Sequence, residues 1–177
     1  MKQKGFILIV SLIFMAIMSM LAIYMFSGFT MDETLSGNHR EKSRSLDAAQ
    51  TALDYADNWL GQSGNTYTGN WITGTTCTTT SSTPVICSNA LTNPTTLPWT
   101  SYTGFTPSGM VVNAAGGIGT YAANPNLYIQ YLGTTNANPP TAMYQVTATA
   151  QGGNTSAAAV VQAVYQVTAA SIDLSGG

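Results

Sequence analysis

From Phe6 to Phe29 the chain runs for 24 residues without a Lys, Arg, Asp or Glu, and no other feature limits its folding so strongly. As a helix this run is roughly 36 Å long at the α-helical rise. That is enough to cross a hydrocarbon core of about 30 Å with some tilt. A secretory h-region is usually about 7–15 residues, and no convincing A-x-A cleavage site follows this run. Lys2 and Lys4 precede it and Asp32 and Glu33 follow it. Positive charge on the N-terminal side places that end in the cytoplasm and the remainder outside the membrane. The small residues Ser11, Ala16, Ser19 and Ala22 would let neighbouring helices approach closely.

Charge is concentrated at the front of the chain. Every Lys, Arg, Asp and Glu except Asp173 lies at or before Asp57. A surface beyond Asn58 must therefore be built from hydroxyls and amides, which suits an exported domain partly covered by neighbours in an assembly. A nucleic-acid footprint there has no electrostatic support, so no nucleic-acid partner is expected. Cys77 and Cys87 have nine residues between them and no companion histidine, which excludes a four-ligand zinc site. In an exported chain they form one disulfide; in a cytosolic one they would be two separate buried thiols.

Residues 41–60 read as a helix. Leu46, Ala49, Leu53, Ala56 and Leu60 fall on one narrow apolar stripe, widened on one side by Ala48, Ala52, Tyr55 and Trp59. Gly61 and Gly64 are natural stops, and Ser36-Gly37-Asn38 is a weak point at which the long helix softens or breaks. The stretch 65–98 reads as loop, rich in Thr and Ser and punctuated by Pro84, Pro94 and Pro98. Alternation predicts strands at 126–132, 142–150 and 158–169. Gln151-Gly152-Gly153-Asn154 offers hairpin chemistry through glycines that accept positive φ. The fold class is α+β: a long hydrophobic N-terminal helix packed on a small antiparallel sheet of about three to five strands, with a loop-rich middle.

Catalytic chemistry is excluded by composition. His39 is the single histidine and lies in the charged segment, where it reads as solvated. Beyond Asn58 there is no Ser-His-Asp or Cys-His set, no carboxylate pair and no Asp-rich calcium loop. Gly116–Gly119 reads as a turn and not a phosphate cradle. Asn154-Thr155-Ser156 fits the glycosylation sequon but reads as a turn. Scattered Tyr and Trp read as core, with a ligand-binding face as the competing use. No enzyme activity, cofactor or metal is expected.

Lys4-Gly5 followed at once by Phe6-Ile7-Leu8-Ile9-Val10 resembles the class III leader of type IV pilins and type II secretion pseudopilins. Asp32, Glu33, Gly37, Asn38, Arg40, Ala48, Ala49, Ala52 and Leu53 match the pattern that continues this leader in PilX-type minor pilins, and the closing strands fit loosely. The resemblance implies cleavage by prepilin peptidase between Gly5 and Phe6 and methylation of Phe6. It implies a leader (1–5), a membrane and assembly helix (6–29), its amphipathic continuation (30–62) and an extracytoplasmic β-rich head (63–177). It implies an inner-membrane protein, N-terminus cytoplasmic and head periplasmic, that passes into a surface fibre. Its implied partners are other minor pilins, the major pilin, prepilin peptidase and a tip adhesin. Most pilins carry a glutamate at mature position five, where this chain has Val10. A carboxylate in an apolar fibre core is costly unless it meets the cationic N-terminus of a neighbour, so its loss suits a tip or priming subunit. Two other roles are a tip pseudopilin of a secretion system, disfavoured by the small head, and a membrane-anchored adhesive module.

Overall fold

The structure, a computed structural model, describes residues 4–117, 119–136 and 139–168. Lys2, Ile118, Ala169 and Asp173, invoked above, lie outside the described residues. Residue contacts divide the chain into two compact units, Met1–Arg40 and Glu41–Gly177. Helix α1 spans Lys4–Gly61 and contributes to both. It is helical through Ser36-Gly37-Asn38, where the sequence predicts a softening or break. A glycine and an asparagine cost a helix only about 1 kcal/mol each, too little to interrupt so long a hydrogen-bonded ladder.

In the second unit, residues 41–61 of α1 pack on a mixed five-stranded sheet. Its strands are β1 (Ile86–Cys87), β2 (Thr103–Gly104), β3 (Asn126–Thr135), β4 (Thr141–Gln151) and β5 (Ala158–Thr168). The three long strands are antiparallel neighbours in the order β3-β4-β5, as alternation predicts. The two short strands come from stretches too brief to show alternation. β1 pairs parallel with β3 at Ile129 and Gln130, and β2 pairs antiparallel at Asn126 and Leu127. The sheet is therefore mixed and not purely antiparallel.

The helix lies close to the sheet because its facing side chains are small. Ser45, Ala49, Ala52 and Ala56 are fully buried, with Leu60 closing the seam. Leu46, expected on the stripe, is 40% exposed, and Ser45 is buried in its place. The Ser45 hydroxyl is satisfied inside the helix by the Lys42 carbonyl at 2.8 Å, so it enters the seam without an unpaired donor.

Ala56 and Leu60 meet Leu127, Ile129, Tyr144 and Val146 in the main core. Ala48 and Ala49 meet Ala150 and Ala159 further along the seam. A third cluster joins Cys87, Trp99 and Tyr128. The stretch 65–98 thus contributes Ile86 and Cys87 to the interior and is more than a surface loop. Trp99 Nε1 donates to the Pro94 carbonyl at 2.8 Å, and the Tyr128 hydroxyl donates to the Asn89 carbonyl at 2.9 Å. Such bonds satisfy loop backbone where no ladder is available.

Candidate assembly site

The first unit is an apolar helix with almost nothing of its own chain against it. Its large apolar side chains between Phe6 and Phe29 range from 48% exposed at Val10 to 82% at Tyr24. Phe6 is 70% exposed and Phe29 69%. Such a surface is unstable in water and requires lipid or other helices. The helix is long and apolar enough to cross a membrane. Its polar side chains suit that setting. The Ser11 hydroxyl donates to the Leu8 carbonyl at 2.9 Å, and Ser19 has the Met15 and Ala16 carbonyls at 2.9 Å. A hydroxyl bonded to its own helix carries no unmet donor into hydrocarbon. Gly5 lies inside the helix, five residues before Val10.

The head is joined to residues 41–45 by a clasp that the sequence reading missed. Glu41 and Arg44 pair at 3.1 Å, each largely withdrawn from solvent. The Glu41 carboxylate accepts from the Gly153 N–H, while Arg44 donates to the Thr120 carbonyl at 2.7 Å and lies 4.5 Å from the centre of the Tyr121 ring. Lys42 donates to the Ala158 carbonyl. These charges are thus spent on carbonyls, one N–H and one ring of a domain that carries no Lys, Arg, Asp or Glu from Asn58 to Thr168. Their signal in the sequence was an acid and a base one turn apart, directly ahead of the alanine seam.

The glycines of the β4–β5 turn serve this clasp. Neither Gly152 nor Gly153 has positive φ, contrary to the hairpin argument above. A Cβ on Gly152 would sit 2.5 Å from the Glu41 carbonyl oxygen, and one on Gly153 would sit 2.6 Å from Glu41 Oε2. Close approach of the helix, and not turn conformation, demands glycine here. Asn154 completes the turn by accepting from the Ala157 N–H at 2.8 Å. Gly116 is part of a turn, as expected, with its N–H on the Asn113 carbonyl at 2.9 Å.

Cys77 and Cys87 are bonded to each other. Asn89 holds the loop from both sides, accepting from the Cys77 N–H at 2.8 Å and donating to the Cys77 carbonyl at 3.2 Å. Tyr144 is fully buried, and its hydroxyl reaches the Thr66 and Ile72 carbonyls at 3.3 and 3.1 Å. Burial, and secondarily the neighbouring Tyr131, push its phenol up to about 12. Trp99, Tyr128 and Tyr144 are core residues, which favours packing over ligand contact as the use of most aromatics. Among the described residues no group of His, Cys, Asp or Glu could hold a metal ion. His39 is exposed on the helix.

No curated protein and no solved structure matches the chain. Two family models do. PilX N-terminal matches residues 4–54, and type IV pilus assembly protein PilX, C-terminal, matches residues 58–167. The first covers the exposed helix and the helix residues of the clasp, and the second covers nearly all of the described head. The chain belongs to the PilX family of type IV pilus assembly proteins, a family of pilins and not of enzymes.

Proposed function

We propose that this chain is a minor pilin that helps to initiate type IV pilus assembly from a low-copy tip or priming complex. The observation that carries the reading is Val10, an apolar residue where the pilin pattern has glutamate, on a helix otherwise suited to packing among pilin helices. A shaft subunit needs that carboxylate to meet the amine of the neighbour stacked above it. A subunit with no such neighbour gains nothing from it and is spared its desolvation. Prepilin peptidase cuts between Gly5 and Phe6 while residues 6–29 span the inner membrane. The helix then moves from lipid into the fibre, where it packs on other minor pilins and the major pilin. The head, uncharged from Asn58 to Thr168, faces neighbouring subunits and a tip adhesin.

Mass spectrometry of the mature protein tests the processing step: methylated Phe6 supports it, and an intact Met1 removes it. Counting labelled subunits along sheared fibres tests position. A few copies at one end are expected, and even decoration at high copy number overturns the tip assignment.

A further inference from the structure

The sheet has two edges, and the chain treats them differently. The outer edge of β3 is covered along its first half, by β2 at Asn126–Leu127 and β1 at Ile129–Gln130. β1 and β2 are backed in turn by bridges from Thr75, just ahead of the disulfide loop, to Cys87 and from Ser81, within it, to Thr103. The other edge is β5, with all eleven residues paired to β4.

The outward row of β5 can be assigned from its bonds. The Ala159 carbonyl accepts from Thr149 Oγ1 at 3.0 Å, and the Ala157 carbonyl accepts from the Gly152 N–H at 2.7 Å. Odd-numbered residues therefore turn their backbone groups toward β4. In an antiparallel pair the alternate residues turn theirs away. Lys42 meets the first of these, the Ala158 carbonyl, from outside. Val160, Gln162, Val164 and Gln166 then present N–H and C=O groups outward, and among the described residues no backbone group pairs with them.

Natural edges of this length are normally blunted by charge, proline or a bulge. β5 has no Lys, Arg, Asp, Glu or Pro, and its register with β4 shows no shift. We propose that β5 is a docking edge that receives an extended, uncharged segment of a neighbouring pilus subunit as a sixth strand, a deepening of the assembly role proposed above that rests on it. A row of alternating donors and acceptors is matched by extended backbone and by little else. The charge pattern narrows the occupant. From Asn58 to Thr168 the head holds no ionised side chain of its own to compensate a buried charge along Val160–Gln166; the charges near β5 all come from α1, Lys42 at its Ala158 end and Asp54 and Asp57 near Tyr165. Val164, 57% exposed and flanked by exposed Gln162 and Gln166, sets an apolar contact between two amides on the solvent face of the edge.

The test uses the full-length protein in a piliated host lacking its own copy. A benzophenone amino acid is placed at position 164, with Val111 (60% exposed, outside the sheet) as control. The expected result is a cross-link from 164 alone, mapping to an uncharged stretch of another pilus subunit. Val164→Pro removes an outward N–H and leaves the β4 ladder intact. It is expected to cut piliation at least tenfold without lowering the melting temperature, whereas Ala163→Pro, on the β4-facing row, lowers it. Should Val164→Pro itself unfold, Val164→Lys with Gln166→Lys places charge on the same edge and is expected to give the same loss. Full piliation by a folded edge variant, a product linking two copies of this chain, an intrachain product alone, or no product above control overturns the proposal. A strain lacking the gene that still piliates normally overturns the assembly role instead, and the inference with it.

Discussion

Gly152→Ala separates close approach from turn conformation as the reason for glycine in the β4–β5 turn. The new Cβ would lie 2.5 Å from the Glu41 carbonyl oxygen and 3.1 Å from Glu41 Oε2. A backbone oxygen inside α1 cannot rotate aside, so the hairpin has to move. Gly152 also donates to the Ala157 carbonyl and accepts from the Ala122 N–H, both at 2.7 Å, so movement disturbs the turn and the adjoining loop together. Forcing one methyl into a packed contact costs about 1–3 kcal/mol, and we expect a loss in that range. Gly153→Ala meets a side chain, Glu41 Oε2 at 2.6 Å, which can swing away at the cost of its bond to the Gly153 N–H. Its loss should be smaller, and Glu41→Ser should recover much of it; the same partner change relieves only the 3.1 Å contact of Gly152→Ala and should recover little of its loss. Gly61→Ala, where a Cβ meets nothing within 4 Å, is the clash-free control and should not destabilise. Urea unfolding of the full chain in detergent, followed by tryptophan fluorescence, reads each variant. A Gly152→Ala midpoint equal to that of Gly61→Ala, or full rescue of Gly152→Ala by Glu41→Ser, would refute the reasoning.

Tyr144 favours its neutral form in the fold, with the phenol raised to about 12 against an ordinary 10 by burial first and Tyr131 second. Its contribution is therefore complete below pH 10 and is lost between pH 10 and 12, at up to about 1.4 kcal/mol per pH unit. Unfolding at pH 8, 10 and 11 should show this decline, and Tyr144→Phe should flatten it. Replacing Cys77 and Cys87 together by Ser should cost about 2–3 kcal/mol through the freed loop of the unfolded chain, read as a lower urea midpoint. Gly37→Ala should stabilise the helix around it by roughly 0.5–1 kcal/mol, seen as slower amide exchange at residues 36–40, because a Cβ there meets nothing. Val10→Glu should reduce piliation if no subunit sits above this one; unchanged piliation would count against the tip assignment.

Much of the fold was legible in short-range pattern. A long uncharged run dictates an apolar helix whatever follows it, because backbone in lipid or in an apolar core must satisfy itself internally. The three long strands announce themselves by alternation, since side chains on a strand point to opposite faces in turn. Other features depend on what faces what. Ser45 and Leu46 are neighbours, and only the position of the sheet decides that the serine is buried and the leucine half-exposed. β1 and β2 are two residues each, and their partners on β3 lie far along the chain, so no local period could reveal them.

The sequence by itself determined the long apolar helix, the confinement of every charged side chain but Asp173 to the first third of the chain and the lack of catalytic groups beyond Asn58, because these follow from residue identity and order. Tertiary structure alone decided that Glu41 reaches the β4–β5 turn and Arg44 the loop at Thr120 and Tyr121, that Gly152 and Gly153 are required by the helix and not by their own φ, and that the first half of β3's outer edge is covered while, among the described residues, no strand covers β5. Each of these is a contact between segments distant in sequence. Local propensity sets which elements form, but only their packing sets the few ångströms that separate a clasp from a clash.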